Sequence, residues 1–326
     1  MTFRVPSPAF ALVVLATSLM PTQLAAQGFP ARPLNLVVTV TAGGSIDAVA
    51  RLIAADLGPA LGQPVLVVNR PGAGGNVAGE SVARAAPDGH TLMISSSSTL
   101  TVNPHVYKSV PFDSVKSFTP IVMPARLNLI LAVHPRHAVS TVKEFVDLLK
   151  AQPGNLKYGS SGNGTNPQLA GILFGMQTST SALHVPFSGI APALNALLAG
   201  QVDYMFDSAT SVPHVHAGKV KALAVVGPAR LPSLPSVPTL GELGFPDMTM
   251  VNGFYAVVST AGAPADVVTR LNTEIVRIMR QPTVMDRVSA MGLVNTTSTP
   301  EQLGQAISDD LRRLGPIIRD AKISVQ

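Results

Sequence analysis

The chain has 326 residues, 46% of them hydrophobic and 13% charged, which is enough for two globular domains of ~150 residues with large cores. It contains no Cys and no Trp, which excludes disulfides, thiol catalysis and cysteine metal sites and argues against aromatic platforms for sugars or single-stranded nucleic acid. The formal charge of +5 is scattered without a run of one sign, which discounts nucleic-acid binding and suits capture of anions.

The first 26 residues read as a signal peptide. Arg4 and the amino terminus supply positive charge, residues 9–20 form an apolar run of 12, Pro21 breaks it, and Leu24-Ala25-Ala26 precedes a cleavage point near Ala26. Twelve residues are too few to span a bilayer, and no later run approaches ~18 apolar residues.

Strand-like and helix-like segments then alternate. Residues 34–40 are apolar and β-rich. Residues 46–61 place Val49, Leu52, Ile53 and Leu57 on one helical face. A short strand at 65–68 leads into Asn69-Arg70-Pro71-Gly72-Ala73-Gly74-Gly75, followed by a helix at 77–86, a Pro87-Asp88-Gly89 turn and a strand at 91–95. This β-α-β-α-β order predicts a mostly parallel sheet. From 128 a second region opens with a strand to 133. Thr141-Val142-Lys143-Glu144 is a capping box that starts a helix. Further helices are expected at 168–176 and 191–199, the latter closed by Gly200, and strands at 183–186, 202–206 and 220–226. Residues 228–246 are a proline-rich connector. One strand at 254–258 and three helices follow, too little for a β-α-β core of their own, so they are expected to complete the first region.

Two segments carry the functional reading. Thr41, Ala42, Gly43, Gly44 and Ser45 follow the first strand and precede a helix. Ser160, Ser161, Gly162, Asn163, Gly164 and Thr165 do the same in the second region. A strand, a small-residue loop and a helix N-terminus form an anion cradle, because the first backbone N–H groups of a helix lack intrahelical partners and the helix dipole adds partial positive charge. Two cradles suggest two lobes around one acidic ligand. Asp47 either complements the helix dipole, fixes the loop, or accepts from an ammonium group of the ligand. Asp207 and the hydroxyl run around Ser97 stand at strand carboxyl ends, where open α/β sheets bind ligands, and Asp207 is expected either at the ligand site or at a hinge.

Competing motifs fail. Gly72-Ala73-Gly74-Gly75-Asn76-Val77 has Val77 where a dinucleotide fingerprint needs Gly. Neither Ser160 nor Ser161 lies in G-x-S-x-G. Ser140 to Lys143 fits S-x-x-K but reads as a helix start. His214 and His216 lack a third ligand, and His184 reads as structural. No cofactor, no metal and no catalytic residue is expected.

Taken in order, these segments resemble the tripartite tricarboxylate transporter substrate-binding receptors, the Bug family, over about residues 32–325. The marks are Ala42-Gly43-Gly44-Ser45-Ile46-Asp47, Asn69 to Asn76, Pro87-Asp88-Gly89-His90-Thr91-Leu92, Asn103-Pro104-His105-Val106-Tyr107, Tyr158 to Thr165, Gly200 to Asp207 and Val237-Pro238-Thr239. The resemblance implies an α/β, two-lobe periplasmic-binding-protein fold of type II-like form, each lobe a mixed sheet flanked by helices. Lobe 1 is expected at 27–126 and 248–326, and lobe 2 at 127–247. It implies a periplasmic receptor that grips a small organic acid or amino acid with both loops, often through waters, and delivers it to a membrane permease of the tripartite tricarboxylate type. A membrane signalling partner is the alternative, and a serine hydrolase the less favoured one. A monomer is expected.

The chain departs from the family pattern. Val40-Thr41-Ala42 replaces a stretch with prolines and an aromatic, Gln168 stands for a His, Ile172 for a Glu, Ser188 for a Lys or Arg, and Asn252 for a Trp. These changes leave mono- and dicarboxylates both open as ligands.

Overall fold

The computed structural model describes residues 1–2 and 28–320; the signal-peptide expectation falls almost wholly outside them. The chain runs β1 (Leu34–Val38), α1 (Ser45–Leu61), β2 (Val65–Asn69), α2 (Asn76–Ala83), β3 (Thr91–Ser96), α3 (Ser97–Thr101), α4 (Asn103–Val106) and β4 (Phe118–Val122). It continues through β5 (Ala125–Leu127), β6 (Leu129–Val133), α5 (Val142–Ala151), β7 (Lys157–Ser160), α6 (Asn166–Thr178), β8 (Leu183–Pro186), α7 (Ile190–Leu198), β9 (Tyr204–Asp207), α8 (Val212–His216) and β10 (Lys221–Val226). It closes with β11 (Tyr255–Thr260), α9 (Ala265–Met279), α10 (Pro282–Ala290), β12 (Leu293–Asn295) and α11 (Pro300–Asp320).

Two five-stranded mixed sheets organise these elements into two lobes. The first has the order β2-β1-β3-β11-β4, with β1 parallel to β2 and β3, and β11 antiparallel to β3 and β4. The second has the order β10-β6-β9-β7-β8, with β7 parallel to β8 and β9, and β6 antiparallel to β9 and β10. The first sheet thus takes β11 from the far end of the sequence. A two-stranded β12-β5 pair stands beside the crossing.

Each sheet is buried on both faces, and the period of two along a strand divides its side chains between two cores. In β11, Tyr255 and Val257 pack with α1, α9 and α10 on one face. Ala256 and Val258 pack with α2 and α11 on the other. In β6, Leu129, Leu131 and Val133 face Phe145 of α5 and Phe174 of α6. Ile130 and Ala132 face Leu194 and Leu197 of α7. Helix α11 spans both lobes: Leu303 and Ile307 enter a core of the first sheet, Leu314 and Ile318 a core of the second.

Local signals worked where the chemistry was explicit. Thr141 and Glu144 form the reciprocal capping box, and Gly200 takes φ 68 just past α7. The first strand stops at Val38 rather than 40. His214 and His216 lie on the short helix α8. Strand β4 carries Pro120 and is an edge strand, the place in a sheet where a missing N–H is tolerated. Among the described residues no helix is long and apolar enough to cross a membrane.

Candidate functional site

A cleft of about 480 Å³ opens between the lobes. From the first sheet come Thr39, Val40, Thr41, Gly44, Ser45 and Ile46, then Pro71, Gly72, Gly74 and Gly75, then Ser96, Ser98, Thr99 and Asn103. Facing them are Ser161, Asn163, Gly164, Thr165, Asn166 and Pro167, then Ser188, Gly189, Ile190 and Ser208. Leu127 and Tyr255 line it where the chain crosses between lobes.

None of these residues carries a charge. What they share is position at helix N-termini. Gly44 caps α1, Gly75 caps α2, Thr165 caps α6 and Gly189 caps α7, and none of the four caps is satisfied by a side chain. Four sets of backbone donors and four positive dipole ends therefore meet one uncharged space, two from each sheet. Two glycines show why the loops need this residue. Gly43 has φ 94, in the left-handed region. Gly75 has φ 97, and a Cβ there would lie 2.6 Å from Thr99 Oγ1, so α2 can approach α3 only without a side chain.

The first loop is tied from beneath. Asp47 is 3% exposed and does not line the cleft. One carboxylate oxygen accepts from Gly43 N–H (3.0 Å) and Arg51 Nε (2.9 Å); the other accepts from Arg51 Nη2 (3.0 Å) and Asn69 Nδ2 (2.9 Å). Asn69 Nδ2 also reaches the Val40 carbonyl. The Arg51 hydrogen bonds outweigh burial and hold the Asp47 carboxyl down at about 2. Of the readings open for Asp47, its bonds are those of a loop anchor. Ala42 and Gly43 face solvent beside the cleft rather than lining it.

The second loop rests on a proton chain. Gly164 N–H donates to Gln168 Oε1 (2.7 Å), so Gln168 Nε2 donates to His184 Nδ1 (3.2 Å). His184 must then carry its proton on Nε2 and donate to Ser160 Oγ (2.7 Å), which donates on to the Gly162 carbonyl (3.1 Å). Protons are directed toward the serine, the reverse of what a nucleophile needs. Ser160 is also fully buried, and burial lowers the His184 pKa. This Ser–His pair stiffens the loop, and the hydrolase alternative loses its base.

Three further expected residues stand one step from the cleft. Ser97 is 1% exposed, with its Oγ accepting from Phe254 N–H, while Ser96 and Ser98 line the space. Asp207 is fully buried, accepting from Thr210 Oγ1 (2.6 Å) and Ser211 N–H (2.6 Å), and burial raises its pKa; Ser208 lines the cleft instead. Gly162 is absent from the lining, its N–H turned to Ser160 Oγ (3.1 Å). Thr41, Gly44, Ser45, Ser161, Asn163, Gly164 and Thr165 are brought together.

Further lining groups lie outside the two expected loops. The 71–75 and 187–189 segments show the same strand, loop and helix pattern as the two cradles, which was the available signal. Tyr255 OH lies 2.6 Å from Ser45 Oγ, and burial pushes its pKa up to about 12. Ser98 Oγ donates across the lobes to Asn166 Oδ1, and Asn166 Nδ2 donates to the Val251 carbonyl (3.1 Å). Among the described residues no group of three metal-ligating side chains is assembled.

A family model described as the tripartite tricarboxylate transporter family receptor matches residues 49–323. A Pseudomonas sp. (strain P51) protein, described as the UPF0065 protein in the tcbD-tcbE intergenic region, is 36% identical over 301 residues, covering 91% of this chain and 88% of its own. Protein BugT of Bordetella pertussis is 31% identical over 310 residues, covering 94% and 95%. Among solved structures, R. palustris Rpa4515 with adipate superposes with a TM-score of 0.80 at 30% identity, covering 91% of this chain and 99% of that one. MatC from Rhodopseudomonas palustris with bound malate superposes with a TM-score of 0.76 at 32% identity, covering 89% and 100%.

Proposed function

Because the chain belongs to the tripartite tricarboxylate transporter receptor family, we propose that its cleft captures a small organic acid through backbone N–H groups and delivers it to a membrane permease of the tripartite tricarboxylate type. The observation that carries this is the convergence of four uncapped helix N-termini on a space without charged side chains. A carboxylate is the ligand that such donors favour. Each hydrogen bond to it contributes ~1.5–3 kcal/mol, and each dipole end ~0.3–1 kcal/mol. Micromolar affinity requires ~8 kcal/mol net of association costs, which four good bonds can supply without a basic residue.

The direct ligands in this reading are the groups around Gly44 and Ser45 and those around Ser161, Gly164 and Thr165, with Ser98 and Thr99 offering hydroxyls. Asp47, Ser160 and Gln168 shape the loops without touching the ligand. The described residues of 27–126 and 248–326 form one lobe and 127–247 the other, with residues 248–251 and the end of α11 packed on the second lobe, and the lobes turn where β5 passes the segment before β11. Adipate and malate in the two related structures support a carboxylate of similar size here. Val40 and Ser188, uncharged at the rim, suit a ligand whose second end is polar or apolar rather than strongly anionic. The receptor works in the periplasm as a monomer after cleavage near Ala26.

A thermal-shift panel tests this. Adipate, malate and simple monocarboxylates are paired with their amides on protein refolded to remove bound ligand. A ligand at 100 times its Kd adds ~2.7 kcal/mol and moves the midpoint visibly. A shift with an acid and none with its amide is expected. Equal shifts, or none with any acid, would overturn carboxylate capture.

A further inference from the structure

A second cavity, of about 340 Å³, lies on the other side of the strands that cross between the lobes. Arg126 and Phe254 line it, whereas their chain neighbours Leu127 and Tyr255 line the cleft, as alternation along a strand requires. The two strands run together here, joined by the Arg126–Phe254 bridge and by Leu127 N–H to the Gly253 carbonyl (2.7 Å). Helix α11 closes the cavity with Asp309, Asp310 and Arg313.

Its polar groups are incompletely paired. Asn252 is 5% exposed and donates to Asn128 Oδ1 (3.2 Å), yet its own Oδ1 has no partner. The half-buried Asp310 carboxylate makes neither a hydrogen bond nor an ion pair among the described residues. The Arg126 guanidinium lies over the Phe254 ring, 5.7 Å from its centre, and it and Arg313 have no acceptor among the described residues. By contrast Gln302 Oε1 accepts from Thr299 N–H, Gln305 donates to Asp309, and Asp309 pairs with Arg312.

We propose that this cavity binds a small zwitterion carrying a primary ammonium and a carboxylate, a simple α-amino acid, with the carboxylate on Arg126 and Arg313 and the ammonium on Asp310 and Asn252 Oδ1. A plain anion would meet Asp310, and a plain cation would meet two guanidinium groups; only a ligand with both charges completes both sets. The volume is at the lower end of small-molecule sites. The ammonium must carry N–H groups, because the open positions are hydrogen-bond acceptors. Ionisation agrees with this arrangement. Burial pushes the Asp310 carboxyl up to about 6, Arg126 from β5 and Arg313 from α11 pull it down, and Asp309 pushes it up. Ammonium binding needs the ionised form, so affinity falls below about pH 6.

Calorimetric titration of the purified protein with glycine and L-alanine at pH 7.5 tests the proposal. Saturable binding is expected, absent with N-acetylglycine and with glycinamide, and weaker at pH 5. Asp310→Asn and Arg126→Gln should each weaken it by about tenfold or more, the loss of one charge-assisted partner. Arg313→Gln, at an exposed position, is a third variant should either of those fold poorly. Ser161→Trp, which fills the cleft, should leave glycine binding intact. No saturable binding, equal binding of glycinamide, or binding lost in Ser161→Trp but kept in Asp310→Asn would each overturn the proposal. Carboxylate capture in the cleft is judged separately, by the acid and amide pairs.

Discussion

Replacing Asp47 by Asn removes the charge that ties the first glycine loop to α1 and β2, while keeping the side chain's shape. Depressing a carboxyl from 3.8 to about 2 corresponds to about 2.4 kcal/mol of folding stability by linkage. The Arg51 partner is 54% exposed, so solvent screening lowers the expected loss to about 1–2 kcal/mol. The folded-state pKa lies below the unfolded one. The contribution is therefore complete above pH 4 and disappears as pH falls from 3.8 towards 2. Urea denaturation of both proteins at pH 7, 5, 4 and 3 measures it. The wild-type advantage should be constant from pH 7 to 5 and smaller at pH 3. Equal stabilities at pH 7, or the same gap at pH 3, would refute the anchor. Ligand titration separates anchoring from contact. Because Asp47 does not line the cleft, carboxylate affinity should fall by less than about tenfold, under ~1.4 kcal/mol. A loss of about a hundredfold confined to ammonium-bearing ligands would mean that Asp47 touches them.

Ser160→Ala should cost about 1–3 kcal/mol in urea denaturation, because the half-buried His184 N–H loses its acceptor, the fully buried Ser160 hydroxyl. Any ester hydrolysis by the wild type that this change abolishes would contradict the proton order. Ser98→Ala removes the bond across the lobes and strands Asn166 Oδ1. It should weaken carboxylate binding by about threefold to tenfold, an amount typical of one hydrogen bond. An unchanged Kd by calorimetry would show that this contact contributes nothing to closure. Among the described residues the only ionisable side chain lining the cleft, Tyr255, is held up at about 12. Carboxylate affinity should therefore vary by less than about threefold between pH 6 and 9, and a tenfold change would place an unrecognised titrating group in the site.

The two loops at 41–45 and 160–165 were legible because strand, small-residue loop and helix N-terminus are local features. The 71–75 loop has the same signature, but its close packing on Thr99 is a tertiary fact. Ser97 and Asp207 do not line the cleft, whereas residues next to them do. At a strand end the direction of a side chain depends on register, and neighbours Ser96, Ser98 and Ser208 take the outward positions. Tyr255 meets Ser45 across 210 residues, for which no local pattern exists. Short α3, with the sequence SSTLT, has no apolar periodicity, and its burial comes from α11 and β11.

A cleft lined by backbone donors from both sheets has a consequence for delivery. In the proposed mode neither half would hold the ligand well alone: on each side two helix ends and a few hydroxyls would face it, and water would compete with them with the lobes apart. In that mode binding strength would develop as the second set arrives and water leaves, making ligand affinity and closure one equilibrium. With no charged side chain lining the cleft, such a ligand would not be locked by an ion pair whose removal leaves a buried charge unpaired, a cost of ~3–5 kcal/mol. A partner that separates the lobes has only hydrogen bonds to exchange with water. Tying Gly43 through Asp47 and Gly164 through Gln168 keeps each half ready before the ligand arrives, which lowers the ordering cost that would otherwise be subtracted from affinity. Charge thus stands beneath the first loop, in Asp47 and Arg51, and a neutral Gln168 ties the second, so that neither loop places a charge in the cleft.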